Sequence, residues 1–329
     1  MAKQSNLTVA VTGPTGTFGF GLLPLLQDEE TVSKIVGIAR RPFDPLEHGW
    51  SKMEYRRGDV RDQDALTEAF AGADVVVHLA FLIVGGAPET THAINIEGTL
   101  NAFRAAAAAG AERFVYASSV AAYGFHADNP VGMTEEWHVR PADRLFYAQQ
   151  KAELEQLLRD EADKHPETEL YLLRPPIVLG PDAAGGKVEV PAPLVPFGRL
   201  LRTAVRRLPV PALVPDIELQ LIHQDDVGQA LLQCVVAAGP PGAYNIAADD
   251  VVSVVDVARE LGFVPVPVHG GVARASARMI SKIPFLPPQL QWIEAASHPA
   301  IMDTTRARTE LGWKPAYSAI ESLRDTLKD

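Results

Sequence analysis

Residues 7–19 read LTVAVTGPTGTFG, and two changes of texture inside that stretch decide the fold. Leu7–Val11 is a short apolar, β-branched run of the kind that forms a buried strand, and from Phe18 to Leu26 the pattern is that of a helix. Between them lies a glycine turn. Gly13 permits the tight reversal, Gly16 lets the backbone approach a pyrophosphate, and Gly19 allows close packing of the helix on the strand. Amides at the helix start have no partner within the helix and face anionic phosphate. Gly13, Thr15, Gly16, Thr17, Phe18 and Gly19 are therefore the candidate phosphate contacts. Glycines at this spacing also make ordinary turns, so the position directly after a first strand carries the argument.

Further along, apolar runs keep alternating with helical patterns, which predicts an α/β fold with a doubly wound parallel sheet covered on both faces. The strands are expected at Leu7–Val11, Lys34–Ile38, Met53–Arg57, Val75–His78, Arg113–Ala117 and Leu170–Leu173. A helix is expected from near Thr91 to Ala109, its alanine run favouring helix and Gly110 stopping it. Another is expected from Arg144 to Lys164. From about Asp182 prolines break the pattern into short pieces, which predicts a smaller, irregular C-terminal lobe that contacts substrate. The division is thus 1–180 for a dinucleotide-binding domain with the catalytic residues and 181–329 for a substrate lobe, with 223–247 returning to the sheet. Asp225 or Asp226 is expected to cap the helix in LIHQDDVGQALLQ, and a second proline-rich stretch, 265–299, to fold over the cleft.

The 329 residues are enough for a large core. A net charge of −11 argues against a nucleic-acid surface, which needs a basic face. Cys234, the single cysteine, can form no internal disulfide and reads as buried filler. No apolar run approaches membrane length and none of signal-peptide type follows the polar first residues, so a cytoplasmic protein with no membrane partner is expected. No spacing among the nine histidines suggests a metal site, and His78, in an apolar run, reads as a core residue.

The chemistry sits in FVYASSVAAYG and LFYAQQKAELEQLL. Tyr147 and Lys151 stand four residues apart, about one helical turn, so the phenol and the ammonium share a face. Such a pair arises by chance in many chains, but here it follows Ser118-Ser119 and the glycine turn. A free tyrosine has a pKa near 10 and is a poor base unless positive charge favours the phenolate. Lys151 would supply that charge, Tyr147 would exchange a proton with a substrate hydroxyl, and Ser119 would hold the substrate oxygen.

In order, TGPTGTFG, DVVVHLA, NIEGT, YASSVAAYG, YAQQK and LRPP resemble the motifs of the extended short-chain dehydrogenases/reductases, the family that includes NAD-dependent epimerases and dehydratases. The resemblance continues to DTTRARTELGWKP, where Asp303, Leu311, Gly312 and Trp313 are similar to the closing motif, and so covers nearly the whole chain. It implies a Rossmann-type fold and hydride transfer at a secondary alcohol or carbonyl, with Ser119, Tyr147 and Lys151 catalytic and Lys151 also on the nicotinamide ribose. It implies adenine recognition by Asp59 beside Val60, the alternative for Asp59 being a turn or helix cap. Leu79, Ala80 and Phe81 would line the nicotinamide ribose, Asn95 would steady the sheet edge or the cofactor, and Pro175 and Ile177 would complete the cofactor site. A homodimer through the helices near 91–109 and 144–164 is likewise implied by resemblance.

At the end of the second strand, where NAD binders place an acid on the ribose, stands Ala39, followed by Arg40 and Arg41. Arginines suit a 2′-phosphate and an acid would repel it, so NADP is the expected cofactor, with NAD the alternative. Sugar-nucleotide members of the family usually carry an asparagine where Ile177 stands and an arginine where Leu219 stands. Their absence weakens the diphosphate clamp and favours an oxidoreductase acting on a small or apolar carbonyl or alcohol, with a sugar-nucleotide epimerase or dehydratase as the alternative. A redox sensor that binds dinucleotide without turnover is the alternative of another class. Arg199, Arg202 and Arg206 share one helix face and either hold an anionic substrate or form a solvated basic face. Glu135, Glu136 and Trp137 lie where sugar members contact the sugar.

Overall fold

The computed structural model describes residues 6–83, 87–143, 145–183, 210–268 and 298–328. The Arg199, Arg202 and Arg206 face, and most of the proline-rich stretch expected over the cleft, lie outside the described residues.

Seven short runs form a parallel sheet among the described residues: β1 Leu7–Thr12, β2 Val32–Ala39, β3 Met53–Arg57, β4 Val75–His78, β5 Arg113–Ala117, β6 Glu169–Arg174 and β7 Gly242–Asn245. Their order is β7-β6-β5-β4-β1-β2-β3, with every neighbouring pair parallel. Central strands covered on both faces read as continuous apolar runs rather than alternating ones, and β4, VVVH, is buried at all four positions. The order reverses between β1 and β4, which opens a crevice at the carboxyl ends of those strands. Register puts Thr12 beside His78 and His78 beside Tyr116 at that edge.

Two sets of helices cover the sheet. On one face α1, Thr17–Asp28, packs with α5, Gln224–Val235. On the other lie α2, Gln63–Ala69, α3, Gly98–Ala108, and α4, Phe146–Ala162. The α1–α5 crossing is closer than side chains allow. A Cβ on Gly21 would stand 2.2 Å from the Gln224 carbonyl oxygen, and one on Gly228 would stand 2.0 Å from that of Gly21. Glycine on both helices lets the backbones touch, and β7 then joins the sheet beside β6.

Two local expectations need correction. The helix expected from Thr91 to Ala109 is three pieces: a helical turn at Pro88–His92, a π-helical turn at Ala93–Glu97, and α3. The wide turn places Asn95, which is fully buried, towards the sheet edge, where Leu82 and Gln150 hold its side chain. Alanine-rich propensity carries no signal for such a tertiary demand. Gly110 ends α3 at φ +77° as expected. The cap of α5 is His223, whose Nδ1 accepts from the Asp225 amide at 3.2 Å. Asp226 is drawn instead to the amides of Ala316 (2.7 Å) and Tyr317 (3.2 Å), while Trp313 Nε1 donates to the Asp226 carbonyl (2.9 Å). The closing motif is thereby tied to the core.

Cys234 is fully buried and free. Among the described residues no helix is long and apolar enough to cross a membrane, and no cluster of side chains could hold a metal ion.

Candidate active site

The crevice is floored by the glycine turn. Gly13 has φ +68°, and a Cβ there would lie 2.8 Å from the Ala80 amide nitrogen. Gly19 is excluded from bearing a Cβ by the Pro14 carbonyl oxygen, at 2.0 Å. That close approach is within the turn itself, which corrects the helix-on-strand reason expected for it. Gly16 is different, because the nearest atom to its Cβ position is the Gly13 oxygen at 3.4 Å, an ordinary contact. The protein's own packing does not require glycine there, which fits a backbone left bare for a ligand. No side chain caps the first turn of α1, as a phosphate-binding helix start needs. Thr17 Oγ1 donates to the Asp182 carbonyl at 2.9 Å, joining the turn to the start of the C-terminal lobe.

Behind the turn runs a buried polar chain. Thr99 Oγ1 donates to the Asn95 carbonyl (2.5 Å), so His78 Nε2 donates to Thr99 (3.0 Å) and His78 Nδ1 accepts from Thr12 Oγ1 (2.8 Å). Thr12 Oγ1 also accepts from the Ala80 amide (3.4 Å). Burial holds the His78 ring neutral, its pKa lowered to about 3, with Lys151 acting in the same direction. His78 is thus a core residue that fixes the Leu79-Ala80-Phe81 segment. Asn95 steadies the same segment through both its amide atoms, accepting from Leu82 N (2.7 Å) and donating to Leu82 O (2.9 Å) and Gln150 (2.8 Å).

Helix α4 and the loop after β5 bring the three candidate catalytic side chains together. Ser119 opens a 3-10 turn, its Oγ accepting from the Ala121 amide at 3.2 Å. It is also hydrogen-bonded to Tyr147, which opposes the upward push of burial on the phenol. One turn on, Lys151 Nζ donates to the Ala117 carbonyl (2.6 Å) and the Tyr116 hydroxyl (3.0 Å). Burial lowers its pKa to about 7, with the Glu155 carboxylate acting the other way.

Glu155 carries no expectation from the motifs, yet it organises the site. It is fully buried, accepting from Ser118 Oγ (2.6 Å), Arg174 Nε (2.8 Å), Arg174 Nη2 (2.5 Å) and Arg159 Nη2 (3.0 Å). Burial pushes its carboxyl up, but Arg174, Ser118 and Arg159 outweigh that and hold it below the usual range. Arg174 extends the network to Tyr123 (2.5 Å), and Tyr123 donates to Asn245 (2.9 Å). Two sequence signals were available: Glu155 lies four residues after Lys151, and Arg174 is a charge at the end of the apolar run LYLL. Glu135, whose role the sequence leaves open, accepts from the Asn245 amide at 2.7 Å.

The end of the crevice expected to take the adenosine is more open. Arg40 and Arg41 are exposed beyond β2, and their backbone is pinned because Arg41 O accepts from the Tyr55 hydroxyl and Arg40 O from Arg57 Nε (3.3 Å). Asp59 is engaged by Arg61 through Nε (2.9 Å), Nη2 (2.7 Å) and the amide (3.0 Å), which lowers its pKa despite partial burial. The cap before Ala65 is Asp62, not Asp59. Val60 is buried, and a Cβ on Gly98 would meet its Cγ2 at 2.5 Å. Pro175 is buried with its carbonyl accepting from the Val120 amide (2.9 Å), whereas Ile177 is 53% exposed.

Residues 9–247 match the NAD dependent epimerase/dehydratase family, and the chain belongs to it. Over 332 residues it is 26% identical to an uncharacterized protein of Mycobacterium tuberculosis, covering 98% of this chain and 84% of that one. Its fold is similar to that of the UDP-glucose 4-epimerase of Thermotoga maritima, solved with UDP-glucose, at a TM-score of 0.73 and 20% identity over 98% of this chain and 97% of that one. It is also similar to the UDP-glucuronic acid 4-epimerase of Bacillus cereus, solved with NAD, at a TM-score of 0.70 and 18% identity over 97% of each chain.

Proposed function

We propose that the chain is an NAD(P)-dependent enzyme acting at a secondary carbinol of a sugar nucleotide, as an epimerase or dehydratase that oxidises and then re-reduces its substrate. The observation that carries this reading is the meeting of Ser119, Tyr147 and Lys151 beside a glycine turn left bare at Gly16, in a chain of this family. When bound, the nicotinamide supplies the hydride acceptor and donor. Tyr147 takes the proton of the substrate hydroxyl as the carbinol C–H bond breaks, and returns it when the carbonyl is reduced. Ser119 donates to the substrate oxygen, and Lys151 stabilises the phenolate and holds the nicotinamide ribose.

A second reading is favoured by one feature, the exposed Ile177 and the apolar Leu219, where sugar-nucleotide members usually hold the diphosphate with polar groups. On that reading the enzyme reduces or oxidises a small or apolar compound once, with net consumption of cofactor. One experiment separates them: incubation with UDP-, dTDP- and GDP-hexoses and with aldehydes and ketones, following product by NMR and cofactor by absorbance. Sugar turnover without net change in reduced cofactor supports the first reading. Stoichiometric cofactor consumption with carbonyl compounds sinks it in favour of the second. Cofactor binding with no turnover at all would leave a redox sensor.

The proposed cofactor is NADP, resting on Ala39, Arg40 and Arg41. The proposed homodimer would use α3 and α4, which Arg104 and Glu161 already join at 2.8 Å. Their outward positions include Arg104, Glu153, Gln156 and Asp160, so such an interface would be polar. A solution mass of one chain would remove it.

A further inference from the structure

Lys151 is only 3% exposed, and the groups around its ammonium are largely aromatic. Nζ stands 3.7 Å from the centroid of the Phe81 ring, 4.7 Å from that of Tyr116 and 5.8 Å from that of Tyr147. Phe81 in turn meets Tyr147 edge-to-face, centroids 5.6 Å apart at 87°. Two oxygens also accept from Nζ, the Ala117 carbonyl and the Tyr116 hydroxyl, which leaves its third N–H for a ligand.

We propose that Phe81 and Tyr116 are positioning residues that favour the charged form of Lys151 inside a buried site. The role goes beyond the motif reading of Phe81 as backbone lining and of Tyr116 as a strand residue. It rests on the proposed use of Lys151 to stabilise the Tyr147 phenolate.

Each neighbour of Lys151 favours one form of the lysine over the other. Burial favours the neutral amine. A ring face attracts the cation and not the amine, and a phenol oxygen accepts more strongly from an ammonium than from an amine. The other groups facing Nζ divide as follows. His78, on β4, is neutral. Tyr147, on the same helix, is a neutral phenol until it reacts. Glu155, also on α4, favours the ammonium, but its carboxylate is already engaged by Arg174, Arg159 and Ser118. Phe81 and Tyr116 therefore supply the local stabilisation that Glu155 supplies only from one turn away.

The test reads the charge of Lys151 directly. Lysine side-chain resonances of the full-length protein are followed by NMR against pH, and the Lys151 signal is identified by its loss in Lys151→Met. The wild-type midpoint is expected near pH 7, to which burial lowers it, with the two neighbours keeping it from falling further. Tyr116→Phe, which keeps the ring and removes the hydroxyl, should lower it by about one pH unit. Phe81→Leu should lower it by about half to one pH unit. Each variant is checked for an unchanged melting temperature, and Tyr116→Phe is conservative enough to retain the fold. An unchanged or raised midpoint in either variant overturns the role given to that residue. Because the readout needs no substrate, a failed search for turnover would count against the proposed reaction and leave this result standing.

Discussion

The two ends of the crevice are built by opposite means. At the end that holds Tyr147, both Lys151 and Glu155 are buried and hydrogen-bonded to β5, β6 and the loop after β5. At the end beyond β2, Arg40 and Arg41 project from a loop whose backbone is pinned while the side chains remain exposed. One end is held by elements that the fold must form anyway. The other is written in side chains that the fold does not constrain, so they can change without disturbing the buried network.

If that contrast is right, the largest effect should come from the buried end. Tyr147→Phe is expected to reduce turnover about a thousandfold, the scale of a lost general acid–base, while cofactor affinity measured by fluorescence titration stays within about twofold because the phenol acts on substrate. Retained turnover would break the comparison at its root.

Next in size is the network beneath. Glu155→Ala leaves Arg174 buried without its anion, and urea unfolding should show a loss of about 3–5 kcal/mol. The pairing with Arg174→Met makes the test sharper, because removing both charges should return a large part of that loss. A single variant as stable as wild type would mean that this end is not over-determined.

The same contrast explains what could be read from sequence. Val75–His78 and Arg113–Ala117 are strands at the residues expected, since buried parallel strands write themselves largely as apolar runs, and the edge strand Met53–Arg57 is also where expected although only Met53 in it is buried. The spacing of Tyr147 and Lys151 is equally legible because a helical turn is local. What the sequence does not show is set by partners far along the chain. The π-helical turn at Ala93–Glu97 depends on Leu82 and Gln150. His223 caps α5 because the helix begins at Gln224, which puts both aspartates inside its first turn, and Asp226 is taken by Ala316 and Tyr317. Glu135 turns to Asn245, 110 residues away. Polar residues choose among several partners, and only the fold decides which is near.

At the exposed end the expected effects are smaller and fall on selectivity. Replacing Arg40 and Arg41 together by alanine should cost about tenfold or more in NADP affinity, the scale of a lost charge-assisted phosphate contact, and leave NAD affinity within about twofold. Competitive titration of both cofactors measures it. Equal losses for the two would mean that the arginines serve solubility or general attraction, and much tighter NAD binding by the wild type would remove the NADP preference.

The smallest effect is expected at Asp59 and Arg61, where the two readings of one carboxylate separate. Their ion pair is partly exposed, so Arg61→Ala should leave the urea-unfolding midpoint essentially unchanged. It should also leave cofactor affinity within about threefold, because a carboxylate has acceptor sites beyond those that Arg61 uses. Asp59→Asn keeps one acceptor oxygen but loses the charge, and should weaken both cofactors alike by about threefold to tenfold if this residue accepts from the adenine amino group. Adenine is common to NAD and NADP, so a loss confined to one of them would place Asp59 at the ribose edge with Arg40. An unchanged affinity for both would return it to a turn residue whose carboxylate serves only to hold Arg61.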